Sequence, residues 1–97
     1  MLYSFSVIRS FRSKALRDFF LDGSARGIRP DLVERVRGRV QALHRAKVLD
    51  DLRLPGWRLH ALHAHPVRYA IAVNGPWRIT FEWDSGDAVR VDLEQYH

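Results

Sequence analysis

The fold is decided by the stretch WRITFEWDSGDAVRVDLEQYH at residues 77–97. Apolar and polar side chains alternate along both of its halves, and the turn-forming run DSGD at residues 84–87 separates the two halves. Alternation with a period of two is typical of a strand with one buried face, so the stretch predicts a two-stranded antiparallel ribbon. The ribbon brings Arg78 and Tyr96 to one face of a sheet, with His97 just beyond the strand's end. These three side chain types can together handle a phosphodiester.

The register of the sheet follows from the same pattern. The segment YAIAV at residues 69–73 alternates in the same way, and NGP at residues 74–76 is a strong turn signal. A slip of one residue would turn an apolar face toward water, so we expect Ile71 opposite Ile79 and a three-residue first loop. The other expected pairs are Val73 with Trp77, Trp83 with Val89, Phe81 with Val91, Ile79 with Leu93, Glu82 with Arg90, Thr80 with Asp92 and Arg78 with Glu94.

Two helices are predicted before these strands. In the first, Ser13 caps a short helix whose Leu16, Phe19 and Phe20 share a face, and Gly23 ends it. The second begins near Pro30, with Asp31 and Glu34 spaced as in a capping box. Its apolar residues recur at helical spacing and are Leu32, Val33, Val36, Val40 and Leu43. Its arginines lie off that stripe and are expected to point mostly outward: Arg35, Arg37, Arg39 and Arg45.

Two further segments have strand character. Residues 2–8 have the composition of an opening strand, and residues 57–63 could add a strand that brings His60 or His63 to the sheet. The whole pattern predicts an α+β fold with an N-terminal strand and a two-helix hairpin packed on a mainly antiparallel sheet of four to five strands. A chain of 97 residues can bury one core, so we expect a single domain over residues 1–97.

The charge of the chain is unevenly placed. The formal net charge is +5, but residues 1–47 hold 11 basic against 4 acidic side chains, whereas residues 48–97 hold 5 against 7. Such a field attracts phosphate backbones without reading their sequence, and binding through it weakens with salt. The alternatives are a solvated arginine-rich helix or a face that receives an acidic partner protein.

Several chemistries are excluded by what the sequence lacks. Without cysteine there are no disulfides and no thiolate ligands, and there is no phosphate-binding glycine loop or nucleophile elbow. His60, His63 and His65 invite a metal test, but no carboxylate lies close in sequence and Pro66 interrupts the strand. We therefore expect no metal and no cofactor. No stretch approaches the apolar length of a membrane span, so we expect a cytoplasmic protein without a membrane partner.

Several motifs occur in order along nearly the whole chain. They are the Leu-x-Ser-Phe opening at residues 2–5, PGWRLHAL at residues 55–62, WRITF at residues 77–81, Gly-Asp-Ala at residues 86–88 and the Tyr-His ending. In their order and spacing these motifs resemble the HigB family of toxins, within the wider RelE/ParE group. The resemblance implies a RelE-type fold and cleavage of mRNA in the ribosomal A site. It also implies a cognate HigA-like helix-turn-helix antitoxin, and the 70S ribosome with its mRNA as target. Operator DNA would be reached only through the antitoxin.

Residue by residue, the resemblance implies four catalytic positions. The family's histidine falls on His60, its arginine on Arg78, and its terminal pair on Tyr96 and His97. Cleavage by the 2′-hydroxyl needs a proton acceptor, a cation for the phosphorane and a proton donor for the leaving oxygen. Arg78 fits the cation, and His60 or His97 could exchange protons because histidine titrates near neutrality. Candidate RNA contacts are Arg58, His63 and Arg68.

The chain also departs from the family. Gln95 stands where the family has an aspartate, His63 where it has a lysine, and Pro76 where it has an asparagine. Each assignment therefore has an alternative: Arg78 could pair with Glu94 across the strands, and Tyr96 could cap the core edge. At the level of function the alternatives are a catalytically impaired module that only engages an antitoxin, and a ParE-like inhibitor of gyrase.

Overall fold

The computed structural model describes residues 8–96. These residues form two helices and four strands. Short 3₁₀ turns at Pro30–Leu32 and Leu49–Leu52 lie in the connections before and after the second helix. The helices are α1 (Lys14–Asp22) and α2 (Val33–Arg45), and the strands are β1 (His60–Leu62), β2 (Arg68–Asn74), β3 (Trp77–Asp84) and β4 (Asp87–Gln95). Within residues 8–96, no helix is long and apolar enough to cross a membrane.

Helix α1 begins and ends as the sequence predicts. The Ser13 hydroxyl accepts a hydrogen bond from the backbone N–H of Leu16 at 3.0 Å, which satisfies one donor of the first turn. Gly23 ends the helix in the left-handed conformation, at a φ of 73°. Leu16 and Phe19 are buried, and Phe20 is partly buried against the ring of His44 from α2. The apolar face of α1 therefore packs on α2 as well as on the core.

Helix α2 starts differently from the prediction. The expected capping box between Asp31 and Glu34 is wrong, because residues 30–32 form a 3₁₀ turn and the residue before α2 makes no side-chain cap. Asp31 instead pairs with Arg29 at 3.0 Å. The apolar stripe is confirmed, since Val36, Val40 and Leu43 are buried.

One arginine of α2 does not point outward as expected. Arg39 is half-buried, its guanidinium lies over the Trp57 ring at 4.8 Å, and its Nε donates to the carbonyl of Ala72 at 2.6 Å. Burial lowers the pKa of the Arg39 guanidinium from its usual value. Arg39 thereby fixes α2 to the strand that carries Ala72 and to the loop before β1.

The four strands form one antiparallel sheet in the order β1-β2-β3-β4. The expected pairs Ile71 with Ile79, Ile79 with Leu93, Thr80 with Asp92 and Arg78 with Glu94 are confirmed. The strand expected within residues 57–63 is present as β1, which pairs His60 with Ala70. The predicted antiparallel meander is therefore correct along its centre.

The register differs from the prediction near both turns. In β2 an extra residue between Ala72 and Asn74 pairs Asn74 with Trp77, so the pairing of Val73 with Trp77 and the three-residue loop were wrong. In β4 the register shifts so that Glu82 lies opposite Val89 and Trp83 opposite Ala88. Two residues of β4 then stand against one of β3, which is a β-bulge. The expected pairings of Trp83 with Val89 and of Phe81 with Val91 are corrected accordingly.

The predicted opening strand lies almost wholly outside the described residues. Its last residue, Ile8, makes a parallel bridge to Ala88, and Phe11 makes another to Val91. The N–H of Arg9 donates to the carbonyl of Ala88 at 2.8 Å. Residues 8–12 therefore run along the free edge of β4.

The glycines give a stability test for this packing. A Cβ added at Gly27 would lie 2.4 Å from the Cβ of Ala15, whereas one added at Gly38 in α2 meets nothing within 4 Å. We expect Gly27→Ala to destabilise the protein by about 1 to 3 kcal/mol through overpacking. Gly38→Ala should stabilise it by up to about 1 kcal/mol through helix propensity. Urea unfolding measures both, and equal effects of the two variants would contradict the close packing of residue 27 on α1.

Candidate active site

Arg78 and Tyr96 lie on the same face of the sheet. Arg78 in β3 is directly opposite Glu94 in β4, and the pairing continues past Gln95 because the N–H of Tyr96 donates to the carbonyl of Pro76 at 2.8 Å. Side chains two residues apart on a strand share a face, so Glu94 and Tyr96 both project on the side of Arg78. Diagonal neighbours across two strands are about 7 to 8 Å apart, which lets Arg78 and Tyr96 contact one ligand group.

The Arg78 guanidinium is held by backbone carbonyls. Its Nη1 donates to the carbonyl of Gly75 at 2.6 Å and to that of Trp77 at 2.9 Å. All of the hydrogen bonds found for this side chain in residues 8–96 use Nη1, and the residue is only partly buried. A guanidinium anchored through one nitrogen can still present its other N–H groups to a phosphate.

The alternative pairing of Arg78 with Glu94 is not formed. The two residues are opposite each other as expected, but the described residues contain no ion pair between them. The Glu94 carboxylate instead accepts a short hydrogen bond from the Thr80 hydroxyl. Opposite charges thus face each other across two strands and are held by different partners.

His60 starts β1 on the same face as Arg78. It is exposed and pairs with Ala70, which pairs in turn with Thr80. Its Nδ1 lies 2.8 Å from the carbonyl oxygen of Arg58. A carbonyl oxygen only accepts, so Nδ1 carries the proton in this contact and Nε2 is the nitrogen that can exchange a proton with a ligand.

The predicted RNA contacts Arg58 and His63 flank this histidine, and both are exposed. Arg58 adopts a left-handed backbone with a φ of 52°, which is costly for a residue with a Cβ. That conformation directs its carbonyl to His60. His63 follows the end of β1, and no hydrogen bond or ion pair of its side chain is found among residues 8–96.

Arg68 is not the surface contact that the sequence suggested. Arg68 is 7% exposed and Glu82 is 6% exposed, and their charged groups are 3.0 Å apart. The second nitrogen of Arg68 donates to the Thr80 hydroxyl and to the carbonyl of Arg90, both at 2.9 Å. Buried and fully engaged, Arg68 supports the sheet face instead of facing a phosphate. The pairing of Ile71 with Ile79, continued along the strands, sets Arg68 opposite Glu82, and this is the sequence signal that could have found the pair.

The expected contact between Glu82 and Arg90 is present in spite of the bulge. Arg90 takes a left-handed backbone, φ 49°, and its Nη2 lies 2.8 Å from the Glu82 carboxylate. Hydrogen bonds from Arg90, and then from Arg68, hold the pKa of the Glu82 carboxyl below its usual value against the opposing effect of burial. Glu82 therefore stays ionised between two arginines.

Tyr96 lies near Glu94 and Arg68. Burial, and next the neighbouring Glu94 carboxylate, raise the pKa of the Tyr96 hydroxyl, and Arg68 partly opposes the effect. The phenol therefore stays protonated at neutral pH and can donate a hydrogen bond. His97, the fourth predicted catalytic residue, lies outside the described residues. No group of three potential metal ligands occurs among residues 8–96.

The two helices and the antiparallel sheet form an α+β fold consistent with that of a RelE-like toxin. Residues 9–97 match the family model described as the RelE-like toxin of the type II toxin-antitoxin system HigB. The chain is also 35% identical over 92 residues to the Endoribonuclease HigB of Proteus vulgaris. The aligned region covers 94% of this chain and 100% of that protein. The chain belongs to the HigB-like toxin family, as its sequence predicts. Membership implies an antitoxin partner.

The buried ion pair gives the second prediction. Glu82→Gln leaves Arg68 buried without its counter-charge, so we expect a loss of about 3 kcal/mol or more in the free energy of unfolding. Arg68→Met should cost less, because Glu82 keeps Arg90 as a partner. Urea unfolding measures both variants, and an equal or reversed order would contradict the network.

The same pair has a pH signature. The folded-state pKa of Glu82 is lowered, so its contribution to stability is present above the unfolded-state pKa and is lost as the pH falls through the folded-state value. Below neutral pH the stability of the wild type should therefore fall more steeply than that of Glu82→Gln. Parallel stability curves from pH 7 to pH 3 would argue against the coupling.

Proposed function

We propose that this chain is an endoribonuclease that cuts mRNA on the ribosome by metal-independent acid-base chemistry. The observation that carries the proposal is the Arg78 guanidinium, anchored by two carbonyls through one nitrogen on the face that Tyr96 shares. The name of the Proteus vulgaris relative, Endoribonuclease HigB, supports the same activity for this chain.

Each side chain has a defined part in cleavage by the 2′-hydroxyl. Arg78 stabilises the charge of the phosphorane, since a guanidinium stays protonated and offers parallel N–H donors to two phosphate oxygens. His60 exchanges a proton with the RNA through Nε2, because its Nδ1 is held by the carbonyl of Arg58. Tyr96, protonated at neutral pH, donates a hydrogen bond to the reacting phosphate or stacks on a base. His97 remains a candidate for a second proton transfer.

The partners follow from the proposed activity. The ligand is mRNA in the A site of the 70S ribosome, and the restraining partner is a HigA-like helix-turn-helix antitoxin. Operator DNA is contacted only through that antitoxin. The basic half of the chain, residues 1–47, attracts ribosomal RNA at long range. Arg58 and His63, which are exposed and lie in the other half, add local contacts to the RNA. This chemistry takes place in the cytoplasm and uses no cofactor.

A second candidate is a module that engages the antitoxin without cutting RNA. It is favoured by Gln95, which replaces the carboxylate expected beside Tyr96, and by His63 in place of a lysine. A ParE-like inhibitor of gyrase would share the fold, and no described residue specifically supports that function. These readings differ in what happens to mRNA when the chain is expressed.

The site is tested by Arg78→Ala. We expect loss of growth arrest and a fall of about 10²- to 10³-fold in the rate of mRNA cleavage on purified ribosomes, because the phosphorane loses its cation. Antitoxin binding and the melting temperature should be preserved. The matched control is Arg53→Ala, which removes an exposed arginine that pairs with Asp50 at 2.7 Å outside the sheet.

Three outcomes separate the readings. An Arg78→Ala variant that cuts like the wild type means that the proposed site is wrong. A wild-type chain that binds the antitoxin and leaves mRNA intact identifies the binding module. Growth arrest with DNA damage signalling and intact mRNA identifies the gyrase inhibitor.

A further inference from the structure

Arg78 and Glu94 are directly opposite each other, yet they do not pair. Directly opposed side chains on two antiparallel strands have Cβ atoms about 5 Å apart, which is ideal for an ion pair. Instead, the carbonyls of Gly75 and Trp77 hold the arginine, and Thr80 holds the carboxylate. A cation and an anion are thus kept side by side and separately anchored on the face that carries Tyr96.

The carboxylate of Glu94 is oriented by a chain of hydrogen bonds. Thr80 is fully buried, and its hydroxyl oxygen accepts from Arg68 at 2.9 Å. The single hydroxyl proton is therefore directed to Oε2 of Glu94. Because Arg68 is itself fixed by Glu82, the position of Glu94 is set by the buried ion pair. This support uses Oε2, and the partly exposed side chain can present Oε1 to a ligand.

The other acidic or amide side chains near this face are unsuited to the same task. Glu82 accepts from two arginines and is buried. Asp92 accepts from the N–H of Leu93 through Oδ1 at 2.8 Å and is one pair further along the strand. Gln95, which replaces the family's aspartate, is opposite Trp77 and so projects toward the other face.

We propose that Glu94 is the general base of the cleavage reaction. This inference rests on the proposed function and adds a residue to it. The proton of the 2′-hydroxyl passes to the Glu94 carboxylate as the 2′-oxygen bonds to phosphorus. The phosphorane then loses the 5′-oxygen, which takes a proton from Nε2 of the His60 imidazolium. The products are a 2′,3′-cyclic phosphate and a free 5′-hydroxyl.

The charged groups around Glu94 come from its own strand and from β2 and β3. Arg78 faces it from β3, and Arg68 approaches through Thr80 from β2. On its own strand, Asp92 and Tyr96 share its face. The bound phosphate pairs with the Arg78 guanidinium. The Glu94 carboxylate, opposite Arg78, then accepts the proton of the 2′-hydroxyl.

The test uses the Glu94→Gln variant and purified ribosomes that carry mRNA. Single-turnover cleavage measures the rate of the chemical step. We expect a loss of about 10²- to 10⁴-fold in this rate, with no increase in the concentration of toxin needed for half-saturation. The amide oxygen can still accept from Thr80, so folding and antitoxin binding should be retained. Without its base the variant must use solvent hydroxide but still needs the His60 acid, so the ratio of its rate to that of the wild type should rise about tenfold per pH unit across the neutral range. Glu94→Asp should regain part of the rate.

The matched control is Asp92→Asn, which removes a carboxylate from the same strand and face and should cut at the wild-type rate. If Glu94→Gln cuts at the wild-type rate while Arg78→Ala is inactive, the assignment of Glu94 is overturned and the proposed function stands. A slow Glu94→Gln variant with the pH dependence of the wild type also overturns it, since it indicates a structural role. A wild-type chain that leaves mRNA intact overturns both.

Discussion

The buried pair of Arg68 and Glu82 joins the three strands that carry the site. Arg68 comes from β2 and Glu82 from β3, and Arg90 from β4 completes the group. Burying two charges costs several kcal/mol each, and their attraction offsets this only where the hydrogen bonds are complete. Every nitrogen and oxygen of that group needs its partner, and no buried side-chain polar atom of residues 8–96 lacks one. The pair therefore favours one register over its neighbours, and the positions of Thr80 and Glu94 follow from it.

The two β-bulges adjust that register at the ends of the sheet. The β4 bulge leaves Arg90 in a left-handed conformation and still brings its guanidinium to Glu82. The β2 bulge pairs Asn74 with Trp77 and leaves a tight turn whose Gly75 carbonyl receives Arg78. Bulges of this kind re-aim side chains near functional sites. The strain at Arg58, whose carbonyl holds His60, belongs to the same pattern.

Much of this arrangement could be predicted from the sequence, because periodicity reports which face is buried. Alternation gave the meander and the central pairs, and helical spacing gave the buried stripe of α2. The bulges could not be predicted, since one extra residue leaves the composition of both strands unchanged. The capping box at Asp31 failed because Arg29 competes for that carboxylate. Arg68 was expected at the surface because arginine is mostly exposed, whereas the register that pairs Ile71 with Ile79 sets it against Glu82 inside the structure.

The distribution of charge separates attraction from chemistry. The helical half carries the basic excess, whereas the sheet half has 5 basic against 7 acidic side chains. A site that only bound phosphate would gain by losing its carboxylates, since they repel the ligand. Here Glu94 lies opposite Arg78 and is supported by a buried hydroxyl without pairing with that arginine. A carboxylate next to the phosphate site weakens phosphate binding, and it is useful there only if it takes part in the reaction. The positive field of the helical half then compensates for this repulsion at long range. The carboxylate on the sheet remains available for proton transfer.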